Sequence, residues 1–166
     1  MSSFTDAWTA LVGNEGGYVD NPADPGGATM YGVTERVARE FGYNGAMQDL
    51  PLATAQIIAK HFYWDRYSCD SFDPRVGFQL LDAAYNGGQP AIWLQRAAGV
   101  AEDGVIGPLT IAAVAAQDAF QIILRFNAYR LTYYTGLDTW PEFGRGWTNR
   151  IANNLSLGAA NVAVVG

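Results

Sequence analysis

A chain of 166 residues with 49% apolar side chains is long enough to bury a sizeable core and too apolar to remain disordered. Its 16 acidic and 10 basic residues leave a net charge of -6 with no basic stripe, which argues against nucleic acid as a partner. One cysteine, Cys69, and one histidine, His61, rule out an internal disulfide and a conventional zinc site, and Asp103-Gly104 lacks the repeated acids of an EF-hand, so no metal or cofactor is expected.

The predicted elements are helices. Phe4, Trp8, Leu11 and Val12 recur at spacings of three and four, with Ser2 or Ser3 available as the cap. That helix runs out near Glu15, where Asn21-Pro22, Asp24-Pro25 and Gly26-Gly27 force a loop, so any β-structure is a short hairpin around residues 18–33. Further helices are predicted over Thr34 to Phe41, Leu52 to Trp64, Pro74 to Asn86 and Gln89 to Ala98, and then over Pro108 to Ala116, Asp118 to Tyr134 and Pro141 to Leu155. Their Leu, Ile, Trp and Phe stripes are read as core, because each helix must bury one face. His61 is read as a helix-surface residue and Cys69 as a packed or partly exposed thiol with no base to activate it. The fold class is therefore all-α, mainly helical. It is one compact unit built as two lobes, residues 1–70 and 71–166, with no flexible linker where they meet. A monomer is expected.

The chemistry is concentrated in the loop. Glu15 lies at a helix end, and Asp20 or Asp24 can be brought back toward it. Two carboxyl groups across a small gap are what cleavage of a glycosidic bond needs, one protonated to release the leaving oxygen and one ionised. Aromatic neighbours such as Tyr18 and Tyr31 would desolvate Glu15 and raise its pKa, while an aspartate on a polar loop stays charged. By spacing alone, the same residues also read as a solvated helix-end acid and ordinary turn formers, with Thr29 among them. A loop of this length predicts carboxyl groups roughly 6.5–9.5 Å apart, hence inversion.

The run from Glu15-Gly16-Gly17-Tyr18 through Asp20, Asp24, Gly26-Gly27 and Thr29 to Tyr31-Gly32-Val33-Thr34 resembles the signature of glycoside hydrolase family 108. Those enzymes are peptidoglycan-cleaving N-acetylmuramidases, found as phage endolysins and secretion-associated muramidases. The resemblance implies that Glu15 is the catalytic acid. The spacing is also similar to the glutamate, aspartate and threonine triad of T4-type phage lysozymes. Glu15 and Asp24 match its first interval, and Thr29 falls one residue short of the second. Asp24 is the first choice for second carboxylate, Asp20 is the alternative, and Thr29 would orient water or the loop.

A second resemblance covers Trp93-Leu94-Gln95 through Gly99-Val100, Asp103-Gly104-Val105-Ile106-Gly107-Pro108 and Thr110. It is similar to the peptidoglycan-binding region that follows the catalytic segment in these muramidases, and Phe143-Gly144-Arg145-Gly146-Trp147-Thr148-Asn149-Arg150 is also typical there. Together the two resemblances span roughly residues 5–152 and imply a lysozyme-like, two-lobed architecture. In this resemblance Asp82, Tyr85 and Asn86, ahead of Gly87-Gly88, face a groove between the lobes. From spacing alone, Asp82 and Asn86 equally read as hydrogen-bonding each other or nearby backbone. Tyr18, Tyr31, Tyr85, Trp140 and Trp147 are candidates to stack on sugar rings.

The expected substrate is therefore peptidoglycan glycan strands, with chitin or chitosan hydrolysis and a non-catalytic wall-binding module as alternatives. Of the charges, 11 acids and 5 bases lie in residues 1–83, so the presumed catalytic half carries the acidic excess and gains no electrostatic steering toward an anionic wall. The start, Met1-Ser2-Ser3-Phe4, has no basic n-region. The apolar tail from Leu155 to Val165 is interrupted by Asn161 and too short for a bilayer, so no membrane insertion is expected. The reading is a protein held in the host cytoplasm that needs a holin or an exporter to act in the periplasm or cell wall.

Overall fold

The computed structural model describes residues 3–12, 17–20 and 27–159. It is mainly helical: 69% of it is helix, in eight α-helices and three short 3-10 or π segments, with only a two-stranded sheet among the described residues. The chain divides into two compact units, Ser2–Arg66 and Tyr67–Gly166.

In the first unit, α1 (Phe4–Val12) buries Ala7 and Trp8, and the Ser3 hydroxyl accepts the Asp6 N–H at its start. The sheet pairs β1 (Thr29–Met30) with β2 (Val33–Thr34) antiparallel. The connecting residues Tyr31 and Gly32 both have positive φ, 53° and 75°, as a type I′ hairpin turn requires. Thr34 then caps α2 (Glu35–Phe41), its side chain accepting the Val37 N–H, and Gly42 ends the helix in the left-handed conformation at φ 101°.

The predicted helix over Leu52 to Trp64 has two parts. α3 (Leu52–Ala59) is regular, and Lys60–Asp65 widens into a π-helix. The wider turn sets Trp64 five residues beyond Ala59, where both are buried and the indole meets Phe4 edge-on at 5.6 Å between ring centroids. His61 is exposed, as read from the sequence, and Cys69 is buried.

The second unit is organised around α4 (Pro74–Tyr85), whose residues Val76 to Ala83 are all buried. A helix buried all round must be covered on several sides, and α5 (Pro90–Ala98), α7 (Ala119–Thr135) and α8 (Trp140–Ala159) all pack on it. α6 (Pro108–Ala115) packs on α5 and α7. Asp73 and Asp118 cap α4 and α7 through their side chains. Close packing explains several glycines. A Cβ on Gly88 would stand 2.6 Å from the Trp93 ring, and one on Gly77 would stand 2.9 Å from the Cys69 carbonyl oxygen.

Candidate active site

Glu15 and Asp24 lie outside the described residues, as does the expected separation of their carboxyl groups. What is described is the bridge that joins the two ends of the segment 20–28, to which Asp24 belongs. Val19 and Thr29 exchange both backbone hydrogen bonds, at 2.9 and 2.7 Å, and the Thr29 hydroxyl donates to the Val19 carbonyl at 3.4 Å. The chain therefore leaves this bridge at Asp20 and returns to it at Ala28. Asp20 is exposed and accepts a long hydrogen bond, 3.4 Å, from the Tyr18 hydroxyl. The Tyr18 phenol is pushed up by partial desolvation and by the neighbouring carboxylates of Asp20 and Glu35. Thr29 and Tyr31 are half-buried, Thr29 in β1 and Tyr31 at the tip of the hairpin.

Glu35 is a carboxylate that motif reading missed. It ion-pairs with Arg39 at 2.8 Å, and it crowds Gly27, whose φ is 76° and where a Cβ would meet its carboxylate at 3.2 Å. Arg39 also donates to the carbonyls of Tyr43 and Gly45. The only sequence signal for this pair was its i, i+4 spacing.

Asp82 is 1% exposed. Its carboxylate accepts from Arg130 Nη1 at 2.6 Å, from Arg150 Nε at 2.8 Å and from Asn154 Nδ2 at 2.7 Å. The Asn86 side chain instead donates to the Asp82 backbone carbonyl at 2.7 Å. Through these three contacts the Asp82 carboxylate locks α7 and α8 onto α4. Arg130 is fully buried and donates through Nε to the Tyr134 hydroxyl, while its Nη2 has no partner among the described residues. Tyr85 is half-buried and Asn86 exposed at the helix end. Sequence reasoning had no handle on Arg130 and Arg150, which lie 48 and 68 residues from Asp82.

The Asp103-Gly104 motif proves to be a loop brace. The Asp103 carboxylate accepts the Val105 N–H at 2.9 Å and an N–H from buried Gln95, whose own side-chain oxygen accepts the Gly104 N–H at 2.9 Å. Those donors hold the Asp103 carboxyl below its ordinary range, the Val105 N–H most of all. A cavity of about 410 Å³ lies at the opposite end of α4, lined by Phe72, Asp73, Arg75, Gln117 and Asp118 among others. It is about 15 Å along the helix from Tyr85, and its Arg75 guanidinium is already engaged by Asp73, whose carboxyl it holds low. Among the described residues, no group of His, Cys, Asp and Glu side chains could hold a metal ion.

A family model described as Glycosyl hydrolase 108 matches residues 8–88, and one described as Predicted Peptidoglycan domain matches residues 89–152. The solved structure of SagA from Brucella abortus is 36% identical, with a TM-score of 0.85 over 95% of this chain and 94% of that one. This chain belongs to the glycosyl hydrolase 108 family. No curated protein matches it. As a member of the glycosyl hydrolase 108 family carrying a peptidoglycan domain, it is a glycoside hydrolase that degrades peptidoglycan. The glycosyl hydrolase 108 segment contains the hairpin and the whole of α4, and it ends just where Asn86-Gly87-Gly88 turns the chain into α5.

Proposed function

We propose that the enzyme is an N-acetylmuramidase that hydrolyses the β-1,4 bond between N-acetylmuramic acid and N-acetylglucosamine. Glu15 is the general acid, and Asp24, with Asp20 as the alternative, is the second carboxylate. The observation that carries the reading is the Val19–Thr29 bridge. It joins the two ends of the segment 20–28, whose sequence carries Asp20 and Asp24 and begins shortly after Glu15. Tyr18 and Tyr31 flank that loop and offer rings to the sugar, and Thr29 secures its return. In the second unit the same reading gives Tyr85 and Asn86, at the C-terminal end of α4, a part in sugar binding, and Asp82 holds that helix to α7 and α8.

Replacing Glu15 by Gln removes a transferable proton while keeping shape and hydrogen-bonding capacity. The variant should keep its helix content and melting temperature. Its clearing of outer-membrane-permeabilised cells should fall by about a hundredfold or more. Clearing at the wild-type rate would remove Glu15 from this role. Parallel digestion of chitin and chitosan tests the competing substrate class, and efficient hydrolysis of either would overturn the preference for peptidoglycan.

A further inference from the structure

Three glycines lie inside α8, and packing explains two of them. A Cβ on Gly144 would stand 2.6 Å from the Trp140 ring, and one on Gly158 would stand 3.1 Å from Ile123. Gly146 is exposed, and a Cβ there would meet nothing within 4 Å among the described residues. A helix-interior glycine lowers helix stability, so one with empty space above it points to a demand from outside the protein for close approach to the backbone.

The neighbours of Gly146 indicate what approaches. Phe143, Gly146 and Arg150 follow one another at i, i+3 and i+7, so they line one edge of the helix. Phe143 is 47% exposed and packs on Trp147 at 5.8 Å between centroids, and Trp147 is itself stacked on Tyr134 at 4.8 Å. Arg150 is held from behind. Its Nε is committed to Asp82, and its side chain remains 36% exposed with both terminal nitrogens unpartnered among the described residues. Asp82 already faces the buried Arg130, so two guanidinium groups share one carboxylate and a positive charge is left over in a chain whose net charge is -6.

We propose that this edge of α8 is a subsite for a sugar whose substituent ends in a carboxylate. The ring lies over Gly146 against Phe143, and the carboxylate accepts two N–H bonds from the free end of Arg150, as planar guanidinium groups favour. This rests on peptidoglycan being the substrate. In that polymer the muramyl substituent carries such a group, either as free lactate on strands stripped of peptide or on the acidic residues of the stem peptide. Arg150 is here a binding residue, and Asp82 is the positioning residue that aims it.

The test is equilibrium binding of soluble glycan fragments to the full chain. Stripped and peptidyl fragments are each used with carboxylates free and with carboxylates capped as neutral amides. Wild type should bind at least one free-acid form about tenfold more tightly than its amide, and the responding form identifies the source of the carboxylate. Arg150→Gln should bind acid and amide alike. Arg150→Lys keeps a cation beside Asp82 if the Gln variant fails to fold, and it too should lose the preference because it lacks the fork. Gly146→Ala should raise the melting temperature yet weaken both forms, a split that a purely structural glycine would not produce. No acid preference in wild type, a preference kept by both Arg150 variants, or unaltered binding by Gly146→Ala would each overturn the subsite. Binding is measured apart from hydrolysis, so an inactive chain that keeps the preference contradicts the muramidase reading and leaves the subsite standing.

Discussion

Asp82 shows how a residue singled out for its chemistry can act through structure. Its buried carboxylate receives Arg130, Arg150 and Asn154, and Arg130 is itself 0% exposed. Removing the negative charge strands a guanidinium in the core, where an uncompensated charge is severely destabilising. Asp82→Asn should therefore lower unfolding free energy by about 3 kcal/mol, read as a reduced urea midpoint with an unchanged slope. A loss below about 1 kcal/mol would show that the network is not cooperative. Asp103 gives a pH-dependent counterpart. Its carboxyl is held low by the Val105 N–H and the Gln95 side chain. A group whose folded pKa is depressed stabilises the fold above its unfolded pKa and loses that contribution as pH falls through the folded one. The melting temperature of Asp103→Asn should thus lie below wild type at neutral pH, with the gap closing as the pH falls below about 4. A gap that persists in acid would assign the effect to shape rather than charge.

At the level of elements, caps and breakers made the helices legible. Thr34 and Gly42 bound α2, Asp73-Pro74 opens α4, Gly99 closes α5 and Asp118 opens α7, each acting through local backbone hydrogen bonds that a sequence displays directly. The π-helical Lys60–Asp65 was not legible. Its shift in period answers to the burial of Trp64 against Phe4, a partner 60 residues away that local pattern cannot report. Nor did the sequence distinguish Gly144 from Gly146, whose surroundings differ completely. Gly144→Ala forces a methyl group to 2.6 Å from the Trp140 ring and should cost about 1–3 kcal/mol by thermal denaturation. Equal stability would mean that Trp140 can move aside without loss. The candidate site was half legible. The loop acids and tyrosines stood in one motif, whereas the approach of Glu35 to Gly27 and the two arginines on Asp82 depend on how the chain folds back.

For the whole molecule, family boundary and structural boundary do not coincide. The glycosyl hydrolase 108 match ends at residue 88 and the peptidoglycan domain begins at 89, but the compact units divide after Arg66. α4 therefore belongs to the hydrolase segment by family and to the core of the second unit by packing, where it supplies Phe78, Leu80, Leu81 and the Asp82 counter-charge. The peptidoglycan domain is accordingly not separable at its family boundary. A fragment of residues 67–166 should melt cooperatively, whereas one of residues 89–166 should show no cooperative transition, because it loses the helix on which α5, α7 and α8 pack. Cooperative melting of the shorter fragment would refute this.

One measurement addresses both the bond cut and the residue that cuts it. Purified peptidoglycan is digested, the new reducing ends are converted to sugar alcohols with borohydride, and the hydrolysed products are identified by mass spectrometry. A muramidase leaves N-acetylmuramic acid at every new end, so wild type should yield muramitol and Glu15→Gln almost none. Glucosaminitol from wild type, or undiminished muramitol from Glu15→Gln, would contradict it.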